Sequence, residues 1–238
     1  LDMDIIKLKL RTKQSITVLT GAGISAESGV PTFRGSDGLW KNFQPEQLAT
    51  LEAFQADPCL VWKWYDWRRK LIEPIKPNPA HYALVEIEAQ TEQFTLITQN
   101  IDGLHHKAGS QNVLEIHGNI WKVQCTKCQC LSRNFEVPIQ ILPTCHRCGG
   151  LLRPKVVWFG ETLPAKELEA AQFAATHCSL MFIIGTSGLV QPAASLGVAG
   201  KQAGAYVVEI NIEQTPLSKI ADETRIGKAS DVLTDLLS

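Results

Sequence analysis

The sequence predicts an α/β fold in which helices cover both faces of a parallel sheet. Four short apolar segments lead into small or polar residues and alternate with helical segments. Strands that are apolar on both faces are typical of a parallel sheet buried between two helical layers. The strands are predicted over 15–20, 94–98, 180–185 and 205–210, and the helices include 79–89 and 165–176.

Two stretches interrupt this alternation. Residues 41–75 contain a tryptophan-rich helix, WKWYDWRRKLI, that is predicted to end at Pro74. Residues 121–154 contain closely spaced cysteines among prolines and glycines. We interpret both as insertions that together form a small domain with a helical part (41–75) and a ribbon part (121–154). The sheet domain is then discontinuous and consists of residues 1–40, 76–120 and 155–238.

The tryptophan-rich helix carries two stripes of side chains at helical spacing. One stripe consists of Val61, Tyr65, Arg68 and Ile72. The other, which we expect to pack against the core, consists of Leu60, Trp64, Trp67 and Leu71.

Composition excludes several classes of partner. The 238 residues are 45% hydrophobic and 20% charged, with a net charge of -1, so no long-range attraction to nucleic acid or anionic lipid is expected. No apolar run approaches the roughly 20 residues of a membrane span. The opening LDMDIIKLKL lacks the apolar segment of a signal peptide. We therefore expect a cytoplasmic protein without membrane or nucleic-acid partners.

The cysteine spacing predicts a metal site. Two Cys-x2-Cys pairs, Cys125 with Cys128 and Cys145 with Cys148, are separated by 16 residues, as in four-thiolate zinc sites. Four thiolates leave no open coordination position, so one structural Zn²⁺ is expected. Cys130 and, less favoured, His146 are alternative ligands. The unpaired Cys59 and Cys178 are interpreted as small core residues.

The segment after the first strand predicts a dinucleotide site. Gly21-Ala22-Gly23-Ile24-Ser25-Ala26 fits the G-x-G-x-x-G/A pattern, in which backbone amides approach a pyrophosphate at a helix N-terminus. This pattern favours a Rossmann-like, doubly wound sheet. The continuation, GVPTFRG, lacks the usual second strand with a terminal acid and is interpreted as a flap. In that flap Arg34 would meet a phosphate and Phe33 would shield a reactive sugar carbon.

Polar side chains follow the second strand at the edge where such sheets bind ligands. Gln99, Asn100 and Asp102 lie in TQNIDGLHHKAG, and His117 follows in EIHG. A histidine with an ordinary pKa of about 6.5 is mostly neutral near pH 7 and can act as a general base. We therefore expect His117, Asn100 and Asp102 to form the catalytic group.

Seven ordered motifs together resemble the sirtuins, the NAD-dependent protein deacylases. They are GAGISAESGVPTFRG, TQNIDGLHHKAG, EIHG, the paired cysteines, RPKVVWFGE, GTSGLVQPAA and EIN, and the likeness runs from about Ile16 to Ala229. The resemblance implies that acyl groups are removed from protein lysines with release of nicotinamide and 2′-O-acyl-ADP-ribose. In that reaction His117 would take a proton from a ribose hydroxyl.

The resemblance also implies which residues hold NAD. They are Gly21, Ala22, Gly23, Ser25, Glu27, Thr32, Phe33, Arg34, Trp40, Gln99, Asn100, Ile101, Asp102, Gly185, Thr186, Ser187, Asn211, Ile212, Glu213 and Ala229.

The acyl preference is inferred from two side chains. Tyr65-x-x-Arg68 resembles the pair of the sirtuin subgroup that prefers succinyl and malonyl groups, and Thr32 replaces an Asp of many deacetylases. A guanidinium and a phenol can bind a carboxylate tail together. The acylated-lysine peptide would add as a strand between two loops. The residues expected to contact it are Val157, Phe159, Gly160, Glu161, Gly188 and Leu189.

Four alternatives stay open at this point. The chain could act mainly as a deacetylase of the same family, as a hydride-transferring oxidoreductase, or as an ADP-ribose transferase. It could also be a zinc-ribbon nucleic-acid binder, because residues 121–154 carry five Lys/Arg against one acid. A monomer is expected.

Overall fold

The computed structural model describes residues 6–7, 10, 12, 15–32 and 44–238. Its main sheet has six parallel strands, which are β1 Ile16–Thr20, β2 Phe94–Thr98, β3 Val113–Glu115, β7 Leu180–Ile184, β8 Tyr206–Asn211 and β9 Glu223–Ile226. Their order across the sheet is β3-β2-β1-β7-β8-β9. A second sheet is antiparallel and consists of β4 Gly118–Cys125, β5 Leu131–Arg133 and β6 Leu152–Val156.

Helices cover both faces of the six-stranded sheet, as predicted. On one face Leu84 and Leu233 pack on Val18 and Phe182, and on the other Ala171 and Leu196 pack on Ile183. The described helices are α1 Ala22–Ala26, α2 Pro45–Leu48, α3 Leu51–Ala56, α4 Pro58–Ile72, α5 Pro79–Gln90, α6 Leu104–Ala108, α7 Ala165–His177, α8 Ala193–Gln202 and α9 Ala229–Leu237, with a 3-10 turn at Pro216–Lys219. None of these helices combines the length and apolar character needed to cross a bilayer.

Strand register brings the predicted functional segments to one edge. The end of β1, Thr20, pairs with Thr98 at the end of β2 and with Ile184 at the end of β7. Because the strands are parallel and end level with one another, the loops that follow them begin side by side. The glycine loop, the loop from Gln99 and the loop from Gly185 therefore share the carboxyl edge of the sheet.

The two insertions pack together in a separate apolar cluster. Trp62 of α4 is fully buried there, and its indole nitrogen donates to the Leu152 carbonyl at 2.8 Å. Arg69, also fully buried, donates to the Ile120 carbonyl at 2.7 and 3.1 Å. These contacts fix α4 against the antiparallel sheet. We propose the same two-part division of the chain that the sequence suggested, although the boundary at residue 40 lies outside the described residues.

The prediction that Leu60, Trp64, Trp67 and Leu71 of α4 face the core is wrong for three of these four residues. Leu60, Trp67 and Leu71 are about 40% exposed, and only Trp64 is buried. The stripe that contains Tyr65 and Arg68 lies inward instead, together with Val61 and Ile72. Burial here is decided by what the helix packs against, and both polar side chains of the inner stripe have partners: Tyr65 accepts from the Trp158 indole, and Arg68 lies over the Trp64 ring.

Candidate active site

Backbone hydrogen bonds join the three loops at the carboxyl edge. The amide of Gly21 donates to the Ile184 carbonyl at 3.0 Å, and that of Gln99 donates to the Thr20 carbonyl at 3.0 Å. The amide of Gly185 donates to the Ile210 carbonyl at 3.0 Å. Each loop therefore starts from the end of a neighbouring strand, so the loop positions follow from the sheet itself.

Two glycines meet where the first and third loops cross. A side-chain carbon at Gly23 would lie 2.8 Å from the Gly185 carbonyl oxygen, and one at Gly185 would lie 2.5 Å from the Ile24 amide nitrogen. Gly185 also has a φ of +60°. Only glycine fits at either position. The result is a strand end without side chains, where a ligand can approach the backbone closely, as a pyrophosphate requires.

Asn100 and Asp102 are both buried beneath the glycine loop. The Asn100 amide group donates to the Gly21 carbonyl at 2.9 Å and to the Ser25 hydroxyl at 3.2 Å. The Asp102 carboxylate accepts from the Leu104 amide at 2.8 Å. Burial raises the pKa of Asp102, and the bonds from Leu104 and Ser25 and the charge of Arg68 only partly offset that increase. The pocket floor is thus polar but poorly hydrated.

His117 lies beside this floor, just after β3. Its Nδ1 is 3.0 Å from the carbonyl oxygen of Gln99. Because a carbonyl oxygen only accepts, we assign the proton to Nδ1, which leaves Nε2 as the basic nitrogen. Burial lowers the pKa of His117 below its ordinary 6.5, although the Gln99 carbonyl acts in the opposite direction. The ring is held in the tautomer and charge state of a general base.

Two further histidines lie behind the loop, and sequence reasoning assigned them no place. Nε2 of His105 is 3.0 Å from the Thr20 hydroxyl, and the rings of His105 and His81 are 4.9 Å apart. Burial lowers the pKa of His81 to about 4 and that of His105 well below 6.5. Both are neutral at pH 7. Their spacing in the sequence carries no signal, since their contact depends on how α5 and α6 pack.

The residues that we expect to bind the adenosine part of NAD lie at the carboxyl edge of the sheet near the end of β8. The Gln99 side chain donates to the Thr186 hydroxyl at 2.9 Å, and that of Asn211 donates to the Thr186 carbonyl at 2.9 Å. Ile212 and Glu213 are exposed there. The carboxylate of Glu27 accepts from the amide and hydroxyl of Ser230, next to Ala229. The expected contacts of these residues with a cofactor stay predictions.

Tyr65 and Arg68 of α4 approach the floor from the small domain. The Tyr65 hydroxyl accepts from the Trp158 indole at 2.9 Å, and the Arg68 guanidinium lies 5.1 Å from the centre of the Trp64 ring. Burial raises the pKa of Tyr65 to about 12, despite the nearby charge of Arg68. Burial also lowers the pKa of Arg68, against the attraction of Tyr65 and Asp102.

The expected peptide-contacting residues follow β6 and β7. The Val157 amide donates to the His117 carbonyl at 2.9 Å, which joins this segment to the backbone at His117. Phe159 and Leu189 are exposed. Glu161 forms an ion pair with Arg153 at 2.6 Å and accepts from the Trp158 amide at 2.9 Å. The carboxylate thus shapes the loop that contains Gly160.

Three of the predicted cofactor residues, Phe33, Arg34 and Trp40, lie outside the described residues. Thr32 is described and is half-buried at the end of the glycine loop. Ile101 is buried, and its carbonyl accepts from the Ile120 amide at 2.8 Å.

Comparison with known proteins identifies the family. Residues 21–192 match the model of the Sir2 family. The chain belongs to the Sir2 family. A relative from Caldanaerobacter subterraneus subsp. tengcongensis, named "NAD-dependent protein deacylase 1", is 54% identical over 222 residues, which cover 93% of this chain and 92% of the relative.

Solved structures agree with this assignment. A Sir2 homologue in complex with NAD superposes with a TM-score of 0.90 at 47% identity and covers 99% of this chain and 93% of its own. A Sir2 protein in complex with a deacetylated p53 peptide and 3′-O-acetyl ADP ribose has a TM-score of 0.83 at 32% identity, with coverages of 97% and 95%. The predicted fold class, a Rossmann-like parallel sheet with a smaller cysteine-containing domain, is confirmed.

The four predicted zinc ligands form one cluster in this Sir2 chain. All four sulfur atoms lie within 4.8 Å of one another, with Cys125 3.4 Å from Cys148 and Cys128 3.8 Å from Cys145. Tetrahedral zinc with bonds of about 2.3 Å requires sulfur atoms roughly 3.8 Å apart. The residues present therefore fit a structural zinc ion.

The other cysteines lie apart from this cluster. Cys130 is not part of it, and its carbonyl accepts from the Cys125 amide at 3.0 Å. Cys59 and Cys178, which were expected in the core, are only partly buried. Gly150 is required beside the cluster, because a side-chain carbon there would lie 3.0 Å from the Cys125 sulfur.

We expect Cys125→Ser to abolish zinc binding, since three thiolates and a hydroxyl form a weak zinc site. Bound zinc, measured by plasma emission spectroscopy, should fall from one ion per chain to nearly none, and the unfolding temperature should fall with it. Cys130→Ser is the matched control and should retain the metal. Zinc lost from the Cys130 variant, or retained in the Cys125 variant, would contradict the assignment.

Proposed function

We propose that the chain is an NAD-dependent protein-lysine deacylase in which His117 is the general base. The observation that carries this proposal is the hydrogen bond between His117 Nδ1 and the Gln99 carbonyl, at the edge where the glycine loop meets Gly185. It orients a neutral imidazole beside a site suited to a dinucleotide. The names of its Sir2 relatives support the same activity.

The carboxyl edge of the sheet suits NAD. The absence of side chains at Gly23 and Gly185 leaves room for phosphates, and the partly buried amide of Gln99 and the buried amide of Asn100 and hydroxyl of Thr186 suit nicotinamide and ribose. When bound, NAD supplies a ribose carbon that loses nicotinamide and accepts the acyl oxygen. The chain's own task is to hold this ligand away from water and to move one proton.

His117 performs the proton transfer in this proposal. Its Nε2 takes a proton from a ribose hydroxyl, and the resulting imidazolium is stabilised by the Gln99 carbonyl that accepts from Nδ1. Asn100 and Asp102 form the floor of the same pocket, and their positions are set by Gly21 and Leu104. In the overall reaction NAD, acyl-lysine and one water molecule give nicotinamide, free lysine and 2′-O-acyl-ADP-ribose.

We further propose a preference for succinyl and malonyl groups. The Tyr65 phenol is neutral because its pKa is raised to about 12, and it accepts from Trp158 while it retains its own proton to donate. The Arg68 cation lies on the same face of α4. A phenol and a guanidinium in a buried setting suit a carboxylate tail. Deacetylation is the alternative activity at this site.

The nucleic-acid alternative is less favoured. Two of the five ribbon cations already have carboxylate partners, Lys122 with Glu115 at 2.6 Å and Arg153 with Glu161 at 2.6 Å. This pairing reduces the charge that could bind phosphates. Acylated-lysine peptides are the partners we propose. The monomeric state and the cytoplasmic location stay predictions.

His117→Ala should lower deacylation by about 10²- to 10⁴-fold, the contribution that a positioned general base typically makes. Affinity for ADP-ribose should change little. Turnover is measured by mass spectrometry of acyl-lysine peptides with NAD, and affinity by calorimetry. His177→Ala, at the opposite edge of the sheet, should remain active. Comparable turnover in the His117 variant would refute the assignment.

The pH profile should follow the lowered pKa of His117. A lowered pKa keeps the imidazole neutral to more acidic pH, so kcat/KM should fall only as pH drops through a midpoint below 6.5. Residual turnover of His117→Ala should lack this acid limb. A midpoint at or above pH 7 would contradict the buried environment described for the ring.

Arg68→Met should lower desuccinylation by about 10- to 100-fold more than deacetylation, because a charge-assisted hydrogen bond contributes about 1.5–3 kcal/mol. The ratio of the two kcat/KM values in one variant is the internal control, since a general loss of packing affects both. Tyr65→Phe should shift the ratio in the same direction. Equal losses on both acyl groups would leave Arg68 without a role in acyl preference.

A further inference from the structure

Glu209 is a carboxylate in an unusual place, within β8 and fully buried. Its neighbours along the strand, Val208 and Ile210, belong to the apolar core. Both carboxylate oxygens accept hydrogen bonds from hydroxyls, one from Thr215 and the other from Ser218. A buried carboxylate is tolerated only with such partners. The mechanism described above does not use it.

The two hydroxyls belong to Ser218 in the 3-10 turn at Pro216–Lys219 and to Thr215, which caps the start of that turn. The Thr215 hydroxyl accepts from the Leu217 amide at 3.0 Å, and the Ser218 hydroxyl accepts from the Thr215 amide at 2.9 Å. Because each hydroxyl oxygen already accepts a backbone proton, its own proton is directed at Glu209. The carboxylate thus determines where this turn lies on the sheet.

The predicted peptide loop rests on this turn. A side-chain carbon at Gly188 would lie 3.0 Å from Leu217 and 3.5 Å from the Thr215 hydroxyl, and Gly188 has a φ of +67°. The loop of Gly188 and the neighbouring Leu189 therefore packs directly on the turn. A displaced turn would remove the surface that supports it.

The predicted adenosine-ribose loop is continuous with the same turn. Residues 211–213 lie between Glu209 and Thr215 in the chain. The hydrogen bond from the Thr215 hydroxyl to the Glu209 carboxylate therefore joins the two ends of this loop. Asn211 also donates to the Thr186 carbonyl at 2.9 Å. Both substrate loops are thus connected to one buried acid.

We propose that Glu209 is a positioning residue that holds the nucleotide loop (211–213) and the peptide loop (188–189) in register with each other. The inference rests on the proposed deacylase function. Glu209 would touch neither substrate and would act through Thr215 and Ser218. Loss of its charge should then weaken the binding of both substrates. The chemical step should persist, because His117 is oriented by the Gln99 carbonyl, in the loops after β2 and β3 rather than after β8.

Glu209→Gln tests this inference, since the amide keeps the shape of the acid but cannot accept well from two hydroxyls. We expect the KM for NAD and the KM for an acyl-lysine peptide each to rise about tenfold, with kcat within about twofold, as for loss of one charge-assisted bond. Glu223→Gln is the matched control. Its carboxylate, on the adjacent strand β9, bonds Tyr206 and Arg225 and should leave both KM values unchanged.

A purely structural role for Glu209 predicts a different result. The active fraction and hence kcat would fall while both KM values stayed at the wild-type level, and this outcome would overturn the inference. Ser218→Ala combined with Glu209→Gln adds a second test. If both act through one hydrogen bond, the double variant should raise KM no more than Glu209→Gln alone. Fully additive effects would count against the proposed route.

Failure of the proposed function would look different from failure of this inference. An active wild type whose KM values do not change in Glu209→Gln overturns the inference alone. A wild type without NAD-dependent turnover overturns the deacylase assignment. In that case ADP-ribose affinity, measured by calorimetry, still tests whether Glu209 positions the nucleotide loop. About tenfold weaker binding in Glu209→Gln than in the wild type supports that role. Equal binding, or no binding by either protein, overturns it.

Discussion

The backbones of Gly23 and Gly185 approach each other closely at the carboxyl edge of the sheet, and the arrangement of the site follows from this contact. A side chain at either position would collide with the opposite backbone. This contact places the loops after β1 and β7 side by side. It also leaves the strand ends free of side chains, so that a ligand can approach the backbone there. The loop after β2 then supplies Asn100, Asp102 and the carbonyl that orients His117.

Burial determines the chemistry of the side chains around that contact. The pKa of His117 is lowered and that of Asp102 is raised for one reason, since both lose hydration at the pocket floor. Tyr65 is kept as a neutral phenol in the same way. Buried acids elsewhere have partners that tie loops down, as Glu209 does for Thr215 and Ser218. The buried polar groups thus have defined positions and shifted protonation equilibria.

The small domain reaches the proposed site through α4. Trp62 and Arg69 bind this helix to the antiparallel sheet, and Tyr65 and Arg68 lie on its buried side. The helical pattern alone could not indicate this orientation, because Trp67 and Leu71 form an apolar stripe that is more exposed than the polar one. A hydrophobicity scale depends only on the type of side chain. Burial in α4 depends instead on which face of the helix other segments cover, and on whether a buried polar group has a hydrogen-bond partner.

Strong local signals in the sequence predict several elements correctly. The predicted bounds of β2 agree with the structure, the predicted helix at 79–89 begins at Pro79 as α5 does after the capping Asn78, and the cysteine spacing predicts the four clustered thiols. Other relations appear only in the folded chain: the carbonyl that assigns the basic nitrogen of His117, the contact between His81 and His105, and the packing of Gly188 on the turn whose hydroxyls bind Glu209. Capping, strand and metal signals depend on residues close in the sequence. These other relations join distant residues, and they exist only once the sheet brings its strand ends together.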